Sequence, residues 1–219
     1  HSGVFYREEY SFLPPPTLAD AEKRGEDFFK FAKCKNLEEI RKLSTDQLRK
    51  LWDDYGGFQK SIATWLPIKD NIFIKDDIFK MMEENKLEKI PLILGFTSDE
   101  FLNPDGSSPV FAAIKRIAEF AEKNERESPI YVYQFDVDIP GWDNAGKFHS
   151  VDLWFWFETL AKCWRPFVGK HYDIARKMCN YLCNFAKNGN PNGDDVDGSK
   201  MQEWKTYDTK KDDIIRFQV

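Results

Sequence analysis

Glu100 and His149 are the two residues whose type and setting suggest chemistry. Glu100 lies just beyond the apolar run Ile90-Pro-Leu-Ile-Leu-Gly95, and His149 lies at the far end of the loop that follows Ile130-Tyr-Val-Tyr-Gln-Phe135. In open α/β sheets the reactive groups collect in loops past the carboxyl ends of the strands. A carboxylate that orients an imidazole, and an imidazole that takes a proton from a nucleophile, are two of the three parts of a hydrolytic triad. Position alone leaves the blander alternatives open, since a glutamate after a strand is usually a solvated turn residue and a histidine beside a phenylalanine usually packs. The third part is missing: no Gly-x-Ser-x-Gly occurs, and Gly106-Ser107-Ser108-Pro109 lacks both the second glycine and a strand-turn-helix setting.

The remaining candidates read as structure. His171 opens a helix far from both loops in sequence and is expected at the surface. Cys34, Cys163, Cys179 and Cys183 form no Cys-x-x-Cys pair and are expected as buried free thiols. Asp194, Asp195 and Asp197 suggest calcium only superficially, because the loop lacks the bidentate glutamate of an EF-hand, so no metal site is expected. A net charge of -5, with no basic cluster interleaved with aromatics, argues against nucleic-acid binding. No apolar run approaches the roughly 18 residues a membrane span needs. The opening His1-Ser2-Gly3 has the look of an internal cut.

The elements that must position the two residues follow from periodicity. Thr17 with Asp20, and Ser44 with Gln47, are capping pairs opening helices to about Lys33 and across Leu48–Trp52; a short helix over Leu37–Leu43 lies between them. Leu13–Pro16 is a stiff extended lead-in, and Tyr55–Asn71 reads as a loop. A helix is predicted over Lys75–Leu87. Ile90–Gly95 and Ile130–Phe135 read as strands, the first buried on both faces. Further helices are predicted over Val110–Lys123, Ser150–Cys163 and Tyr172–Lys187, and a last strand over Asp213–Val219. Residues 1–88 are thus mainly helical and connecting, while 89–219 carry the strands and both candidates. Alternation of strands and helices makes the class α/β, with a mostly parallel sheet flanked by helices.

Four segments resemble the type-B carboxylesterase and cholinesterase-like family. Phe148-His149-Ser150-Val151-Asp152-Leu153 is similar to its Phe-His-(Ser/Gly)-x-(Glu/Asp)-Leu stretch. Gly95-Phe96-Thr97-Ser98-Asp99-Glu100 is similar to its Gly-x-x-x-Asp-Glu turn. Asn184-Phe185-Ala186-Lys187-Asn188-Gly189-Asn190-Pro191-Asn192 resembles its Asn-Phe-Ala-(Lys/Arg)-x-Gly-x-Pro-Asn, and Trp204-Lys205-Thr206-Tyr207 its Trp-Pro-x-Tyr. The resemblance implies the C-terminal part of an α/β-hydrolase fold over residues 1–219, in which serine, acid and histidine follow one another along the chain. It implies His149 as the catalytic histidine and Glu100 as the acid, with Phe148 and Trp154 lining a substrate pocket. The partner implied is the N-terminal half of the same esterase, joined covalently or nicked, carrying the serine. The substrate implied is a small ester, with no cofactor. Ser2-Gly3 resembles the Ser-Gly that follows the nucleophile region. The departures are Lys205 in place of proline, Glu158 where relatives commonly place glycine, and a span of 49 residues between Glu100 and His149 that is shorter than the family's. The alternatives are a cholinesterase-like binding or adhesion protein with a decayed triad, and a structural fragment.

Overall fold

The computed structural model describes residues 16–57, 67–125 and 127–219, with the backbone of β1 (Tyr6–Arg7) and β2 (Tyr10–Ser11), which pair with each other. Ser2-Gly3, Leu13–Pro15 and residues 58–66 of the expected loop lie outside the described residues. The chain divides into two compact units, one Ser11–Glu84, the other Asn85–Val219 with the N-terminal residues through Tyr10.

The first unit is helical. α1 (Leu18–Ala32) and α3 (Thr45–Tyr55) begin at the expected capping boxes: Thr17 and Asp20, and Ser44 and Gln47, exchange side-chain and backbone bonds. These satisfy donors that a helix start would otherwise leave open. α2 (Leu37–Arg41) starts at Asn36, whose side chain caps Glu39 N–H. Tyr55 joins α3 to α1, its ring 5.2 Å from Phe28 and 5.1 Å from Phe31. The helix expected over Lys75–Leu87 is the shorter α4 (Ile78–Glu83).

The second unit is built on three parallel strands in the order β3 (Leu92–Thr97), β4 (Ile130–Phe135), β5 (Ile215–Phe217). β3 begins and ends two residues later than the expected run, because Ile90 and Pro91 precede the pairing, which starts at Leu92 opposite Ile130. On β4, Ile130, Tyr131, Val132 and Tyr133 are all buried, as a central parallel strand covered on both faces requires. α5 (Pro109–Lys123) follows β3, with Ser108 capping Phe111 N–H and proline in the first turn. It buries Val110, Ala113, Ile114, Ile117 and Ala118, and Phe111 stacks on Phe96 of β3 at 5.0 Å. Tyr131, Tyr133 and Phe135, alternating along β4, join a core with Phe155, Met178, Tyr181, Trp204 and Phe217.

α7 (Gly169–Asn188) buries one stripe at helical spacing, His171, Ala175, Met178 and Tyr181, and stops at Gly189 in the left-handed region. His171 is therefore not at the surface as expected. Its Nδ1 accepts from Val168 N–H at 3.0 Å, closing the first turn of α7, and its ring meets Phe167 at 5.3 Å. All four cysteines are free, but Cys183 is exposed and the others are only half-buried, so the expected burial does not hold. Asn192 clasps the main chain of Trp204 in both directions, at 2.7 and 2.9 Å, and the Trp204 indole donates to Val132 O at 3.2 Å. Two of the family-like segments are thus tied to each other and to β4. Asp194, Asp195 and Asp197 turn to Lys200, Arg176 and Ser199 respectively.

The helix expected over Ser150–Cys163 is broken. Only α6 (Leu153–Trp156) and a 3₁₀ turn, Leu160–Lys162, form. Ser150 at φ 71° and Glu158 at φ 48° are left-handed, so no continuous ladder of helical hydrogen bonds can pass through them.

Candidate catalytic site

The parallel pairing of β3 and β4 brings Thr97 opposite Phe135, so the turn after β3 lies over the end of β4. Ser98 secures it: its N–H and Oγ–H both donate to Phe135 O, at 3.0 and 3.2 Å, and Gln134 Nε2 donates to Ser98 Oγ at 3.0 Å. Two residues on, Glu100 folds back beneath the turn. Its side chain is buried, and Oε1 accepts from Thr97 N–H at 2.8 Å.

The other carboxylate oxygen, Oε2, stands 2.7 Å from His149 Nδ1. An ionised carboxylate only accepts hydrogen bonds, so the proton belongs on Nδ1 and Nε2 is the basic nitrogen. The pair is asymmetric in solvent access: the Glu100 side chain is 0% exposed and that of His149 45%. The Phe101 ring lies 4.7 Å from the imidazole, on a backbone held at φ 50°.

Beneath the histidine loop is a second, fully buried polar group. Tyr133 O–H donates to Asp152 Oδ2 at 2.8 Å and accepts from Trp156 Nε1–H at 3.2 Å. Burial, reinforced by the Asp152 carboxylate, pushes the Tyr133 phenol well above its ordinary range, so it remains a donor at any working pH.

The rings of Phe148 and Trp154 lie 6.0 Å apart, each 5.8 Å from the Arg165 guanidinium. Arg165 makes a two-pronged bond to Asp143, at 2.9 and 2.7 Å, and donates to Pro140 O at 3.2 Å. That guanidinium holds the Asp143 carboxyl below its usual range. The loop between β4 and His149 is thereby tied to the segment after α6.

The two candidates drawn from sequence thus meet, although 49 residues separate them. Sequence reasoning gave no role to Asp99, Lys147, Phe101 or the Tyr133–Asp152 pair. Asp99 stood inside the family-like turn, and Asp152 inside the family-like histidine segment; nothing in the sequence singles out Phe101.

Residues 107–219, just over half of the chain, match the carboxylesterase family. The chain belongs to that family. Its segment Phe148–Leu153, with His149, falls inside the match, while Glu100 precedes it. Among solved structures, the carboxylesterase EST55 of Geobacillus stearothermophilus is similar at a TM-score of 0.64 and 17% identity, over 93% of this chain and 50% of that one. An esterase from Clostridium hathewayi, described as hydrolysing aliphatic aromatic polyesters, gives 0.64 and 15% over 99% and 51%. A PNB esterase gives 0.62 and 17% over 93% and 51%. No curated protein sequence matches. These likenesses establish the α/β-hydrolase fold for this chain, which spans about half the length of the structures it resembles.

Proposed function

We propose that the carboxylesterase to which this chain belongs hydrolyses carboxylic esters with a Ser-His-Glu triad. Glu100 and His149 supply the acid and the histidine, and the serine comes from the half of the relatives' length that this chain does not span. The observation that carries the reading is the 2.7 Å contact between the buried Glu100 carboxylate and His149 Nδ1.

In that mechanism the serine hydroxyl attacks the ester carbonyl while His149 Nε2 takes its proton. The imidazolium then hands that proton to the departing alkoxide, which leaves as alcohol. Water repeats the sequence on the acyl-enzyme, releasing the acid and restoring the serine. Glu100 stays ionised throughout, holding the ring tautomer and stabilising the imidazolium. Every step is a proton or acyl transfer, so the reading calls for neither metal nor organic cofactor. Phe148, next to the histidine in sequence, and Trp154, whose ring meets that of Phe148, are proposed to form part of the ester pocket wall. By itself the chain carries no Gly-x-Ser-x-Gly motif and is proposed to be inactive, with the N-terminal half as its functional partner.

A fluorophosphonate probe tests this on the whole protein. The expected result is modification of one serine outside this chain, slowed by roughly a thousandfold or more in His149→Ala. Equal rates in the parent and the variant would overturn the reading. Failure of any serine to react would favour a binding protein with a decayed triad.

A further inference from the structure

His149 presents a mechanical problem. Its side chain is nearly half exposed, and residues 141–149 contain no helix or strand that would fix its backbone. A triad imidazole displaced by about 1 Å loses on the order of a hundredfold in rate, so the main chain that leads to the ring must be placed as closely as the ring itself.

We infer that Asp99 is a positioning residue for His149, clasping the main chain of Lys147 so that the imidazole is delivered to Glu100. This rests on the triad reading above. Asp99 Oδ2 accepts from Lys147 N–H at 2.7 Å, and Asp99 N–H donates to Lys147 O at 3.2 Å. The two bonds close a ring between the acid turn and the histidine loop across 48 residues of sequence. Gly146 makes room for it: at φ 66° it is left-handed, and a Cβ there would stand 2.7 Å from Asp99 Oδ2. From its other end, Lys147 reaches back past β4, its ammonium 3.0 Å from Asp138 and 3.8 Å from Asp136. Adjacent residues of one turn thus divide the labour. Glu100 points inward and takes the imidazole, while Asp99 points outward and takes the backbone two residues before it. A charge-assisted acceptor on a main-chain N–H is stronger than a neutral one, which suits an exposed clasp.

The experiment compares Asp99→Ala, Asp99→Asn and Gly146→Ala in the whole enzyme, with p-nitrophenyl acetate as substrate and thermal unfolding alongside. Asp99→Ala removes the acceptor and is expected to lower kcat about tenfold or more with KM within about twofold. Asp99→Asn keeps a carbonyl oxygen for Lys147 N–H and should recover kcat to within about threefold of the parent. Gly146→Ala, which leaves Asp99 itself intact but crowds it, should reproduce the kcat loss. Glu100→Gln serves as the control on the triad itself. If Glu100→Gln is nearly inactive while Asp99→Ala and Gly146→Ala keep kcat within twofold of the parent, the clasp is overturned and the triad stands. If Glu100→Gln retains most activity, the triad reading fails and the clasp with it. Loss in all three Asp99 and Gly146 variants that merely tracks their melting temperatures, with no recovery in Asp99→Asn, also overturns the positioning role.

Discussion

The Tyr133 ring occupies the space that a side chain at Gly95 would need. The two residues are paired across β3 and β4, and a Cβ on Gly95 would stand 2.0 Å from Tyr133 Cε1. The glycine that opens the acid turn is thus required by a buried tyrosine on the neighbouring strand, whose ring is held by Trp156, Trp204 and Phe217 and whose hydroxyl is bonded to Asp152.

Gly95→Ala is therefore expected to destabilise the protein by about 3 kcal/mol, by overpacking a site that cannot relax cheaply. Urea unfolding measures it. A change below about 1 kcal/mol would show that the Tyr133 ring can move aside.

Tyr133→Phe keeps the ring but deletes the hydroxyl between Asp152 and Trp156. The buried carboxylate and the indole N–H both lose that partner, at about 1–3 kcal/mol for each such group. We expect a loss of at least about 2 kcal/mol in the same assay, and a neutral substitution would contradict the network.

The family resemblance leads one to expect glycine at the position of Glu158, whose backbone is left-handed at φ 48°. A side chain there costs about 1–2 kcal/mol, which glycine would remove at an entropic cost of about 0.5–1 kcal/mol. Glu158→Gly should leave stability unchanged or raise it by about 1 kcal/mol. Destabilisation beyond about 1 kcal/mol would assign the glutamate side chain a contribution of its own.

Burial, with Cys183 and Glu158 close by, pushes the Cys179 thiol up to about 11. Because the thiolate is the nucleophile, Cys179 should resist iodoacetamide at pH 8 while exposed Cys183 reacts first; peptide mass mapping reads the order. The linkage has a sign. A thiol protonated in the folded state but ionised near pH 8.5–9 when unfolded favours folding fully below that range. Its contribution is lost as pH rises towards about 11. Equal labelling of the two cysteines at pH 8 would contradict the shift.

How much of this was legible in the sequence differs from residue to residue. Thr17 and Ser44 announce their helices because capping is local chemistry between residues three apart. Ile130–Phe135 announces its strand because a centrally buried strand is apolar throughout. Glu100 and His149 were legible by their place after strands and by family resemblance. The break at Ser150 and Glu158 was not, since neither residue type signals positive φ, and the aromatic run between them reads as helix. His171 was misplaced for a related reason: whether a histidine faces core or solvent depends on which stripe of α7 meets the sheet. Asp99 was hidden because its partner is a main-chain N–H, and main-chain groups leave no mark in a sequence.

The central claim is that Glu100 and His149 act as one catalytic unit. A double-mutant cycle on the whole enzyme tests it most directly, with kcat/KM for p-nitrophenyl acetate measured for His149→Ala, Glu100→Gln and the pair together. The expected result is a loss of about 10⁴ or more for His149→Ala, a large loss for Glu100→Gln, and no further loss on combining them. A His149→Ala enzyme within tenfold of the parent, or two losses that simply multiply, would contradict it.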